Sequence, residues 1–65
     1  MNRIREIRKR LKIKQADVAA KAGISQPYLC DLEYNRRDGT PETLTRIAEV
    51  LGVDVAELVK KTKAG

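Results

Sequence analysis

The stretch from Gln15 to Tyr34, QADVAAKAGISQPYLCDLEY, constrains this chain more than any other part of it. Val18, Ala19 and Ala22 fall on one side of a helical pattern, and Leu29 and Leu32 fall on one side of another. Between the two patterns stands Gly23, which supplies the left-handed backbone that ends a helix and reverses the chain. The alanines let a second helix approach closely. Ser25 is the expected N-cap of the second helix, with Pro27 at the second helical position, where its missing N–H costs nothing. The Ser25 hydroxyl is then expected to accept from the N–H of Tyr28. Ile24 packs back over the turn, and polar and aromatic residues are left for the outward start of the second helix.

Helical spacing continues on both sides of this stretch, and no alternating pattern of useful length suggests a strand. Ile4, Ile7 and Leu11 predict an inward face for a first helix capped by Asn2, with Arg3, Arg5, Lys9 and Arg10 opposite and Ile13 packing inward as a connector. Asn35 is a helix stop, and Arg36-Arg37-Asp38-Gly39 is a loop. Thr40-Pro41 opens a fourth helix as N-cap and first helical residue, with Leu44, Ile47, Ala48 and Leu51 inward and Gly52 ending it. Asp54 and Glu57 have the spacing of a capping box for a fifth helix anchored by Leu58, with Val55 or Val59 beside it. The tail from Lys60 to Gly65 is expected to fray. The expectation is an all-α chain: five short helices bundled around one core, in a single domain over 1–65.

A chain of 65 residues has room for one small core and about 3–5 kcal/mol of net stability. Its net charge of +5 is unevenly placed. Residues 1–40 hold ten basic and five acidic side chains, and residues 41–65 hold four of each. A basic first part suggests a polyanionic partner. With no histidine and Cys30 alone, the common Cys/His zinc sites, His-based catalytic triads and an intramolecular disulfide are all excluded. No apolar run approaches a membrane span, and Met1-Asn2-Arg3 leads straight into an amphipathic pattern rather than a signal peptide. A reducing, cytoplasmic compartment is expected, with no cofactor, metal or small-molecule ligand.

Two short helices about a tight turn, with a polar outward start to the second, are the layout of a helix-turn-helix over residues 15–34. The chain resembles the Cro/phage-repressor (XRE-like) family of helix-turn-helix domains over about residues 4–58. Ile4-x-x-Ile7-Arg8 is similar to the family's first helix, and Gln15-x-x-x-Ala19-x-x-x-Gly23-Ile24-Ser25 to its second helix and turn. Tyr28-Leu29-x-x-Leu32-Glu33 resembles its recognition helix, and Thr43-Leu44-x-x-Ile47-Ala48-x-x-Leu51-Gly52-Val53 its fourth helix. The resemblance implies a fold of the lambda-repressor type and a partner, double-stranded DNA, in a bacterial, archaeal or phage setting.

The resemblance also implies roles for single residues. Gln15 opens the second helix against the DNA backbone or an edge base. Ser25, the cap of the recognition helix, is also placed among the DNA-contacting residues, and Gln26, Pro27 and Asp31 face the groove. Tyr28 lies near a phosphate, and Asn35, Arg36, Arg37 and Thr40 run along the backbone. Arg8 and Glu33 match a partly buried ion pair. Two departures stand out. Lys14 replaces the usual capping residue of the second helix, at a cost of about 1 kcal/mol, although it could reach a phosphate instead. Pro27 replaces a polar base reader and offers apolar contact alone.

The chemistry of these side chains sorts their expected tasks. Gln26 can pair in two-point fashion with adenine, and Asp31 can accept from cytosine N4 but repels phosphate. Arg36 and Arg37 are phosphate clamps that position without reading sequence. Cys30, on the recognition helix, is read as a small packing residue. The expected function is a transcriptional regulator, a repressor acting as a homodimer on a palindromic operator, with Val53, Val55 and Val59 as candidates for self-association. The alternative is a protein-interaction module of the same fold, an antitoxin or a factor bridging to the transcription machinery, which Pro27 and Asp31 would suit. No enzymatic activity is expected, because no pair of titratable groups sits in a pocket-forming context.

Overall fold

The computed structural model describes residues 2–59, so the predicted fraying of Lys60–Gly65 lies outside the described residues. Five helices follow in order: α1 (Ile4–Arg10), α2 (Gln15–Ala22), α3 (Gln26–Glu33), α4 (Pro41–Leu51) and α5 (Val55–Leu58), with no strand among the described residues. The all-α, five-helix expectation is met. Ile4, Val18, Leu29, Leu32, Ile47 and Leu58, drawn from all five helices, are the largest side chains withdrawn from water. Burying each such side chain is worth roughly 1.5–3 kcal/mol. Ile7, Leu51, Ala19, Ala22 and Ala48 complete the core, and the small alanines let α2 lie close to both α3 and α4.

The helix starts follow local chemistry. The Ser25 Oγ accepts from the Tyr28 N–H at 3.2 Å, with Pro27 in the first turn of α3, as the sequence predicts. The Thr40 Oγ1 accepts from the Thr43 N–H at 3.1 Å and Pro41 opens α4. Lys14 occupies the cap position of α2 without a side-chain cap bond.

The first four helices end alike. In each, a residue in the left-handed region donates its N–H three residues back, and the next residue donates five back, which is the Schellman arrangement. The pairs are Lys12 to Lys9 with Ile13 to Arg8, Gly23 to Ala20 with Ile24 to Ala19, Asn35 to Leu32 with Arg36 to Asp31, and Gly52 to Glu49 with Val53 to Ala48. Three of the four following residues, Ile13, Ile24 and Val53, fold back onto the core. A side chain with a Cβ is strained in this backbone region, yet Lys12 adopts φ 60° and Asn35 φ 61°.

Three local expectations are corrected. Leu11 is 46% exposed rather than inward, because α1 stops at Arg10 and the left-handed turn at Lys12 swings the chain so that Ile13 takes the inward place. Asn2 does not occupy the cap position, which falls to Arg3. Its Oδ1 still accepts from the Ile4 N–H at 3.1 Å, and its Nδ2 donates to the Leu32 carbonyl at 2.7 Å and to the Asn35 Oδ1 at 3.0 Å. The capping box of α5 does not form. Asp54 holds the cap position with no side-chain bond, and Glu57 lies instead 3.6 Å from the Arg3 guanidinium. Arg3 also donates to Glu6, which holds the Glu6 carboxyl below the usual carboxylate range, and its main-chain N–H donates to the Leu58 carbonyl at 2.7 Å. The chain start is thereby tied to α5.

Candidate nucleic-acid interface

Glu33 is the one charged residue in the core of the described chain. Its two oxygens receive the Arg8 Nε at 2.7 Å and Nη2 at 3.1 Å, the paired geometry in which guanidinium binds carboxylate best. Arg8 also donates to the Ile13 carbonyl at 3.0 Å. The expected ion pair is therefore present, and it pins α1 and the turn after it to the end of α3.

From this buried pair a chain of side-chain bonds runs outward. The Gln15 Nε2 donates to the Glu33 Oε1 at 3.1 Å, which leaves the Gln15 Oε1 facing the start of α3. There it accepts from the Gln26 Nε2 at 3.1 Å. Glu33 can only accept, so it orients the Gln15 amide, and Gln15 in turn orients the Gln26 amide. Gln26 is exposed, in the first turn of α3, beside exposed Ser25 and Pro27.

Further along α3, Tyr28, Asp31 and Tyr34 recur every three residues and form one stripe. The loop after α3 folds back over it. The Arg36 Nη1 lies 3.3 Å from the Asp31 Oδ1, and the Arg37 Nε lies 3.5 Å from the Asp31 Oδ2. The Arg36 guanidinium stands 5.2 Å from the Tyr34 ring centre, with Arg5 at 5.6 Å, and Arg37 stands 5.9 Å from the Tyr28 ring. These distances suit attraction between a cation and an aromatic ring. Hydrogen bonding to Asp31 raises the Arg36 pKa further above its ordinary value, so Arg36 is charged at any pH of interest.

Most residues singled out in the sequence thus gather on the exposed side of α3 and its flanks. Gln15 and Gln26 are bonded at one end, and Tyr28, Asp31, Arg36 and Arg37 are linked along the edge. Asn35 is exposed and tied to Asn2. Thr40 is engaged in capping α4, and Lys14 is exposed at the head of α2. Val55 and Val59, in and just after α5, are exposed, while Val53 is half-buried against the core. Cys30 is a half-buried free thiol. Arg5 and Tyr34 were not singled out as site residues in the sequence. For Tyr34 the available signal was its place three residues after Asp31, as Tyr28 stands three before it. No helix of the described residues is long and apolar enough to cross a membrane.

A family model for helix-turn-helix domains matches residues 4–58. The chain is 40% identical over 57 residues to the immunity repressor protein of Bacillus phage phi105, a match covering 88% of this chain and 40% of that protein. It is 40% identical over 58 residues to the HTH-type transcriptional regulator DdrOP3 of Deinococcus deserti, covering 89% of this chain and 45% of the relative. The chain therefore spans less than half the length of these two relatives. Among solved structures, the N-terminal DNA-binding domain of SinR from Bacillus subtilis superposes with a TM-score of 0.81 at 28% identity, covering 95% of this chain and 91% of that one.

Proposed function

Because the chain belongs to the helix-turn-helix family, of the Cro and phage-repressor type, we propose that it is a sequence-specific double-stranded DNA-binding domain of a transcriptional repressor. The observation that carries this reading is the bonded run from Arg8 through Glu33 and Gln15 to Gln26. It presents an oriented amide at the outer start of α3, where a recognition helix meets base edges. Gln26 reads a base, Pro27 adds apolar contact, and Asp31 stands further along the groove side. Gln15, Lys14, Ser25, Tyr28, Asn35, Arg36, Arg37 and Thr40 lie along the backbone and set register.

A single module of this size covers roughly 600–1,000 Å², too little for tight binding, so the protein acts as a dimer on two half-sites about 34–36 Å apart. Exposed Val55 and Val59, with Val53 beside them, are the surface for self-association. The compartment is the cytoplasm, with the protein held to the nucleoid through DNA, and residues 1–65 act as one domain without catalytic activity. One observation favours the second reading, a protein-interaction module. Asp31 takes both loop arginines, which lowers the free positive charge on this face.

Selection of bound duplexes from a random pool, at two salt concentrations, separates the two. The DNA-binding reading predicts an enriched palindrome whose half-sites are about one helical turn apart. Weak binding without enrichment, vanishing as salt rises, would favour a protein partner.

A further inference from the structure

We infer that Asp31 acts as an internal substitute for DNA phosphate, holding Arg36 and Arg37 folded against α3 in the free protein and so weakening binding to every duplex alike. The inference rests on the DNA-binding reading above and departs from the expectation that Asp31 reads cytosine.

The geometry supporting it is threefold. Each Asp31 oxygen faces a different arginine, Arg36 at 3.3 Å and Arg37 at 3.5 Å, so the carboxylate presents to them the paired oxygens that a phosphate would. The tyrosines on either side of Asp31 in the sequence add a second contact, with the Arg36 guanidinium 5.2 Å from the Tyr34 ring centre and that of Arg37 5.9 Å from the Tyr28 ring centre. The backbone contributes to this placement. The left-handed turn at Asn35 sends the Arg36 N–H to the Asp31 main-chain carbonyl at 2.8 Å, which ties the start of the loop to the same residue whose carboxylate the arginines meet.

Both arginines remain more than half exposed, so a phosphate can reach them. To do so it must displace Asp31 or accept its negative charge nearby. Exposed ion pairs of this kind are individually weak, so two of them set a brake of roughly three- to ten-fold. The brake acts on the sequence-independent part of binding, which phosphate contacts carry. Asp31 therefore tunes affinity and salt response and leaves base preference alone.

The test compares wild type with Asp31→Asn, on the preferred duplex and on an unrelated one, across a salt series. Glu49→Gln, an exposed site on α4, makes the same charge change elsewhere. The expected result is that Asp31→Asn tightens both duplexes by roughly three- to ten-fold. It should also steepen the salt dependence, and exceed Glu49→Gln in both respects. The gain should vanish when Arg36→Ala and Arg37→Ala are also present. Any of three results overturns the inference: weakening confined to duplexes with one particular base, no change beyond that of Glu49→Gln, or tightening that persists without the two arginines. If the wild type itself binds no duplex, the DNA-binding reading fails first.

Discussion

The Arg8 guanidinium spans both oxygens of Glu33, and the Glu33 side chain has no exposure to water. A buried pair of this kind adds little stability over an apolar pair of equal volume, because both charges lose their hydration. Its effect here is on position. It locks the end of α3 to α1, and through Gln15 it fixes the direction of the Gln26 amide.

Removing one partner should be costly. Arg8→Met leaves Glu33 buried with only Gln15 as donor, and is expected to destabilise the domain by about 3–5 kcal/mol. That is comparable to the whole stability expected of a chain this small. Adding Glu33→Leu should restore much of the loss. Urea denaturation of both variants checks this, and equal stability of the single and double variants would contradict it.

Lys12 sits in a left-handed turn where its Cβ is a liability, at φ 60°. Its N–H donates to Lys9, as any residue's would, so the side chain is not needed for the turn. Lys12→Gly is expected to stabilise the fold by up to about 1 kcal/mol, the relief of strain being partly offset by the greater freedom of glycine in the unfolded chain. In a domain of this size the melting temperature should rise by roughly 4–8 °C per kcal/mol. A lowered melting temperature would show that the Lys12 side chain makes a stabilising contact.

Gly39 presents the opposite case. Its φ is +74°, and a Cβ there would stand 2.9 Å from the Leu32 Cδ2, deep in the core. Gly39→Ala combines backbone strain with overpacking and should cost about 1–3 kcal/mol. Thermal melts of this variant beside Gly52→Ala, where a Cβ would meet nothing within 4 Å, separate the two terms. Equal losses would leave the contact with Leu32 without energetic weight.

The boundaries of α2, α3 and α4 were legible because they are set by chemistry within four residues. Ser25, Thr40-Pro41, Gly23 and Gly52 each act on a neighbouring N–H or on their own backbone angles. The buried faces of α2, α3 and α4 followed from spacing in the same way. What spacing misjudged were positions decided by a partner far along the chain or by a turn of unmarked handedness. Leu11 fits the inward pattern of α1 but loses its place to the left-handed turn at Lys12, which no glycine marks in the sequence. Glu57 has capping-box spacing but is drawn to Arg3. At the site, the residue types were readable one by one, but their bonds to each other were not. The Gln15–Gln26 bond depends on how α2 crosses α3, and the Asp31 pairing with Arg36 and Arg37 depends on the turn at Asn35.

In the proposed complex Gln26, oriented by Gln15, reads a base from the start of α3. The most direct measurement repeats the random-duplex selection with Gln26→Ala and compares the enriched site with that of the wild type. The expected site keeps its length and spacing but loses preference at one position in each half, by about 1–3 kcal/mol. An unchanged site at every position would contradict it, and would mean that α3 does not meet the bases through Gln26.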